Sequence, residues 1–188
     1  MNTLTAGTDE AGRGPLAGPV VASAVVLTEG QSEHLLRLGL KDSKKLSEAA
    51  REKLFAAIND IGVVWRARAA SHVRIDEMNI LRASLWAMGE SVLALPCGFD
   101  LVIVDGNKPI PDLPVRQIPM IKADATIPEV MAASVIAKVL RDRTMKRLGE
   151  IYPQYGFAKH KGYPTKEHRA AIAEYGPSPV HRLSFKLE

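Results

Sequence analysis

The sequence has a single cysteine, Cys97, so no intrachain disulfide can hold it together. No apolar run approaches the ~20 residues that a membrane-spanning helix needs. The opening residues, MNTLTAG, lack the basic stretch and apolar segment of a secretory signal. Internal repeats, low-complexity tracts and linker-like boundaries are absent too. So is the His/Cys ligand spacing of a zinc site. The five histidines are scattered along the chain, which makes no case for paired imidazole catalysis. These absences point to a soluble, cytoplasmic protein. With 188 residues, 46% of them hydrophobic and 24% charged, the expectation is one globular domain with one core.

The net charge of +4 is small but unevenly spread. Lys138 to Arg169 holds nine Lys/Arg against three Asp/Glu, whereas residues 1–137 hold fourteen against sixteen. A basic third quarter on a near-neutral body suits a polyanion partner, and it equally suits a solvated helical face.

Periodicity outlines the elements. VVASAVVL (Val20 to Leu27) is β-branched and reads as a strand, as do VVWRARAA and the buried run in FDLVIVDG. Leu46, Ala50, Leu54, Ala57 and Ile58 share one helical face behind a Ser47 cap. Leu81, Leu85, Met88 and Val92 mark a second helix, ended by Pro96. Thr126 and Glu129 have capping-box spacing, with Pro128 near the start of a long helix that ends before Pro153. A last helix is expected from Thr165 to Tyr175, stopped by Gly176 and Pro177. Leu4 is followed by polar residues and gives no strand signal. The pattern implies an α/β domain with one central sheet.

The segment GTDEAGRGPLAGPV sets Asp9 beside Glu10 and puts Arg13 between two glycines. Its Gly12, Gly14 and Gly18 are one residue too widely spaced for a dinucleotide fingerprint, and a β-branched run follows where a helix should. The spacing of Gly7 and Gly12 matches a P-loop, but Arg13 stands where Lys is required and no Ser/Thr follows. Further acids come at Asp105, straight after LVIV, and at Asp124, ahead of Thr126. Singly, each suits a turn or a helix N-terminus. Gathered on one sheet rim they would repel one another unless cations neutralised them, and oxygen donors favour hard divalent ions. Two such ions can activate water and stabilise the leaving oxygen of a phosphodiester.

The motifs DEAGRG (Asp9 to Gly14), LKDSKKLS (Leu40 to Ser47), VDGN (Val104 to Asn107) and KADATIPEVMAASVIAKVLRDR (Lys122 to Arg143) resemble ribonuclease HII. YGFAKHKGYPTKEH (Tyr155 to His168) and HRLSF (His181 to Phe185) continue the likeness, in the family's order, across nearly the whole chain. The resemblance implies an RNase H-like fold: a mixed five-stranded central sheet flanked by helices, with a helical C-terminal part from about residue 150. It implies cleavage of RNA in RNA–DNA hybrids and at single ribonucleotides in duplex DNA. By the same resemblance the cut would fall on the 5′ side of the ribonucleotide and leave 3′-hydroxyl and 5′-phosphate ends. It assigns two Mg²⁺ or Mn²⁺ ions to Asp9, Glu10, Asp105 and Asp124; the division expected here puts one mainly on Asp9, Asp105 and Glu10 and the other on Asp9 and Asp124. The main chain of Gly12, Arg13 and Gly14 would read the 2′-hydroxyl, which alone marks a ribonucleotide. Tyr163 would pack on the next deoxynucleotide's sugar. Lys44, Lys45, Ser134 and Lys138 would contact phosphates, while Arg141, Arg143, Lys146 and Arg147 suit solubility equally well. The expected partner is nucleic acid, with no membrane and a monomeric state. Two rivals remain: a binding module without chemistry, and a metal-free ribonuclease that leaves cyclic phosphate and survives EDTA.

Overall fold

The computed structural model describes residues 4–187; Met1 to Thr3, at the start of the segment read for a signal, and Glu188 lie outside it. β1 (Thr5–Ala11) is followed by β2 (Val20–Val26), whose seven residues are all buried. The alternation of β2 explains this: Val25 faces one hydrophobic cluster and Ala22, Ala24 and Val26 face another, so both sides of the strand are covered. Then come α1 (Glu29–Arg37), α2 (Glu48–Asp60), β3 (Val64–Ala70), α3 (His72–Met78) and α4 (Ile80–Leu93). β4 (Leu101–Asp105) and β5 (Gln117–Met120) complete a five-stranded sheet in the order β3-β2-β1-β4-β5. Pairing is antiparallel among β1, β2 and β3 and parallel among β1, β4 and β5, which is the mixed sheet expected.

The long helix α5 (Pro128–Ile151) and α2 cover one face, and α4 covers the other. α6 (Phe157–His160) and α7 (Lys166–Tyr175) form the helical C-terminal part. The Ser47 and Thr165 caps form as expected, accepting from Ala50 N–H and His168 N–H. Thr126 does not cap α5. A residue preceding proline is pushed out of the α region. Ile127 is therefore extended, with φ −106° and ψ 115°, and takes the cap position without a side-chain bond. Thr126 instead closes a 3₁₀ turn over Ala123–Ala125.

β1 gave no signal in the sequence because its residues answer to close approach rather than to apolar burial. A Cβ on Gly7 would lie 2.5 Å from the Glu129 carbonyl carbon and from Val130 N, in the first turn of α5. Small residues continue the contact, with Ala132, Ala133 and Ala137 fully buried. Ser23 Oγ donates to Ala133 O at 2.7 Å, and Thr8 Oγ1 donates to Ser23 O at 2.7 Å. The polar atoms of this tight layer are thus satisfied.

Candidate active site

Thr8 of β1 is registered on Val104 of the parallel β4, so the next residues, Asp9 and Asp105, emerge at the same rim. The chain leaves β5, turns at Lys122 in a left-handed conformation (φ 60°), and enters the 3₁₀ turn that returns Asp124. Asp124 N–H donates to Asp105 Oδ1 at 3.3 Å. Carboxylate oxygens of Asp9, Asp105 and Asp124 all lie within 4.8 Å of one another, and Asp9 and Asp124 are each 3% exposed. Glu10 stands outside this triad but lines the same cavity, with Oε1 3.4 Å from Arg13 Nη1.

Proximity and burial set the titration of these groups. Burial, then the charges of Glu10 and Asp105, hold the Asp9 carboxyl well above the usual carboxylate range. Burial, then Asp124, raises Asp105. Burial also raises Glu10, aided by Asp105 and opposed by Arg13. Lys44 Nζ reaches Asp124 Oδ2 at 2.6 Å. Burial works to lower the Lys44 ammonium, but the bond and charge of Asp124 outweigh it and leave the group raised. An oxygen-only donor set, buried and mutually repelling, fits a hard divalent cation, which would relieve the repulsion that one lysine leaves.

The cavity beside the triad has a volume of about 270 Å³. It brings together Asp9, Glu10, Asp105 and the loop Gly12, Arg13 and Gly14. Lys44, Ser134, Lys138 and Tyr163 line it as well. Lys45 is exposed and does not line it. Ser43, not singled out in the sequence, lines it as well and shares a 2.8 Å hydrogen bond with Ser134 Oγ. Lys138 is held by Asp142 at 2.7 Å, and its Nζ stands 5.7 Å from the Tyr163 ring centre. Tyr163 is 41% exposed, and its Cε1 sits 3.7 Å from where a Cβ on Gly14 would be.

Gly12 is glycine for an internal reason. Its φ is +104°, and a Cβ there would fall 2.0 Å from Arg141 Nε. Arg141, read from sequence as a candidate surface charge, is fully buried and donates to the carbonyls of Ala17, Pro19 and Lys161. The other basic residues of α5 are neutralised at the surface: Arg143 pairs with Glu52, Lys146 with Glu48 and Arg147 with Glu150. The basic third quarter therefore reflects helix pairing more than a free cationic face. The histidines also differ from expectation, because His160, His168 and His181 cluster: His168 Nε2 lies 3.0 Å from His181 Nε2, and the His160 and His168 rings stack at 4.5 Å.

The family model for ribonuclease HII matches residues 6–188. The chain belongs to the ribonuclease HII family. It is 50% identical over 182 residues to the ribonuclease HII of Marinomonas sp., covering 97% of this chain and 89% of that one. It is 49% identical over 180 residues to the ribonuclease HII of Acaryochloris marina, covering 96% and 91%. The crystal structure of the ribonuclease H2 from Pyrococcus horikoshii OT3 superposes with a TM-score of 0.81 at 32% identity, covering 98% of this chain and 94% of that one. Membership makes the protein a ribonuclease H hydrolase, an endoribonuclease that acts on RNA–DNA hybrids with divalent metal ions. Among the described residues no helix is long and apolar enough to cross a membrane.

Proposed function

We propose that this ribonuclease HII nicks hybrids and duplex DNA on the 5′ side of a ribonucleotide, leaving 3′-hydroxyl and 5′-phosphate ends, and so serves ribonucleotide removal and RNA primer removal. The observation that carries this is the meeting of Asp9, Asp105 and Asp124 beside the Gly12–Gly14 loop, which sets an acidic cluster able to hold a cation next to the exposed residues Arg13 and Gly14. Asp9, Glu10, Asp105 and Asp124 would hold two Mg²⁺ or Mn²⁺ ions. Such ions, when bound, activate water and stabilise the departing 3′-oxygen.

The residues of the chain do the rest. The Gly12, Arg13 and Gly14 main chain reads the 2′-hydroxyl. Tyr163 packs on the sugar of the following deoxynucleotide and so favours an RNA-to-DNA junction. Lys44, Ser134 and Lys138 take phosphates at the cavity wall, and Lys45 takes one outside it. Phosphate contacts confer affinity without sequence choice, as an enzyme acting anywhere in a genome needs. Residues 1–188 form one catalytic domain and act as a monomer.

The test compares a duplex carrying one ribonucleotide with the same duplex in all-DNA form, with Mg²⁺ and with EDTA, and maps the nick and its ends. The expected result is one nick, 5′ of the ribonucleotide, abolished by EDTA. Cyclic phosphate ends persisting in EDTA, or binding without cleavage, would overturn the reading.

A further inference from the structure

The HRLSF segment resembles the family but has no part in the chemistry so far. Arg182 is fully buried, and among the described residues it forms no ion pair. All three of its nitrogens donate to main-chain carbonyls: Nη2 to Gly12 O at 2.7 Å, Nη1 to Arg13 O at 3.1 Å and Nε to Gly18 O at 3.0 Å. Burial first, and Arg141 nearby second, push this guanidinium down to about 9, so it remains charged at neutral pH. In a trans peptide the N–H points opposite to the C=O. Carbonyls 12 and 13 turned toward buried Arg182 therefore turn the N–H groups of Arg13 and Gly14 the other way, toward the cavity that their residues line. Neither N–H has a protein acceptor among the described residues.

The neighbouring residue braces Tyr163, which lines the same cavity. His181 Nδ1 accepts from Ser178 N–H at 2.8 Å, so its proton sits on Nε2 and is donated to His168 Nε2 at 3.0 Å. His168 must then carry its proton on Nδ1, which donates to Tyr163 O at 2.9 Å. The direction of each bond fixes the next. One dipeptide thus stands behind both elements that frame the ribose. Its own place is fixed by Arg182 N–H to Leu16 O at 2.8 Å, and by Asp76, which accepts from Leu183 N–H and Ser184 N–H.

We propose that Arg182 and the His181–His168 pair are positioning residues for ribonucleotide recognition, Arg182 aiming the Arg13 and Gly14 amides and the histidines holding Tyr163. The inference rests on the functional reading above. The test takes the full chain with Mn²⁺ and measures a recognition ratio: the Ki of an all-DNA duplex divided by the KM of that duplex with one ribonucleotide. Misaiming a hydrogen bond of ordinary strength lowers this ratio by about tenfold. Arg182→Lys is expected to show that loss while the all-DNA Ki stays within about twofold and Mn²⁺ still raises the Tm. His168→Leu is expected to lower the ratio likewise. His168→Asn, whose amide can still donate to Tyr163 O, is expected to stay within about twofold of wild type.

A purely structural role would lower the Tm and leave the ratio unchanged. Retention of the wild-type ratio by Arg182→Lys, or equal ratios in His168→Leu and His168→Asn, overturns the proposal. If Arg182→Lys fails to fold, the His168 pair decides alone. A wild-type enzyme with no preference for the ribonucleotide would overturn the functional reading itself.

Discussion

Gly7→Ala tests how the strand that carries Asp9 is seated. The added Cβ would meet three atoms of α5 at 2.5, 2.5 and 2.7 Å, two of them main chain. Comfortable carbon contacts begin near ~3.5 Å, so strand and helix must part by about 1 Å. Neither can give locally: β1 is paired on both edges, and the helix atoms belong to the first turn of α5. Overpacking of this kind costs about 1–3 kcal/mol. At roughly 2–4 °C per kcal/mol for a chain of this size, the Tm should fall by about 2–12 °C. Because Asp9 lies two residues along the same strand, nicking should fall by about 100-fold, the usual consequence of a ~1 Å misplacement at a reacting centre. Circular dichroism melts and single-ribonucleotide nicking measure the two effects. Gly30→Ala is the control: a Cβ there meets nothing within 4 Å, and Gly30 lies in helix α1, where alanine is favoured by about 0.5–1 kcal/mol. A Gly7→Ala protein with wild-type Tm and activity would refute the seating argument.

Asp105→Asn should lower nicking by at least about 100-fold, more than the loss of a supporting group around a metal costs, with the far-UV spectrum unchanged; cleavage at the wild-type rate would exclude Asp105 as a ligand. Asp9→Asn removes a buried charge that Glu10 and Asp105 repel, so its Tm in EDTA should exceed that of wild type while its Tm gain on adding Mn²⁺ shrinks. Carboxyls raised in the folded state contribute stability that is full below the unfolded values of ~3.9–4.3 and is lost as pH climbs through the folded values. Asp9, Glu10 and Asp105 are all raised, so the metal-free protein loses their contribution as pH rises above the unfolded values. Bound cations take the place of those protons, and the Tm gain from Mg²⁺ should grow from about pH 5 to about pH 7.5; a gain that does not change with pH would count against the cluster as the binding site.

Most of the elements legible in the sequence were held by apolar burial, while β3 and α7, which bury few residues, were read from alternation and from a Gly-Pro stop. β2, β4, α2, α4 and the body of α5 carry their periodicity in Val, Leu, Ile and Met, and the structure places them as read. β1 was invisible because TAGTDEA is built for closeness, with Gly7 set against a helix backbone. β5, with only four residues and a proline, lacked the length to register. The acids were legible through motif resemblance rather than spacing, since positions 9 and 105 meet only through the parallel β1–β4 pair and 124 only through the 3₁₀ turn that follows β5. Arg141 and Arg182 could not be told from surface charges, because their partners are main-chain carbonyls, which leave no trace in side-chain identity. The histidine cluster stayed hidden for a related reason: His168 and His181 belong to separate segments that only the C-terminal packing joins.

The acids at 9, 105 and 124, and the arginine at 182 bonded to the loop carbonyls, are dispersed along almost the entire polypeptide. A half-synthesised chain on the ribosome holds Asp9 and Glu10 but neither Asp105 nor Asp124, and a fragment clipped ahead of the last segment holds all four acids without Arg182. On the reading above, a nascent chain gains its acidic cluster only after residue 124 and the brace behind its recognition loop only after residue 182.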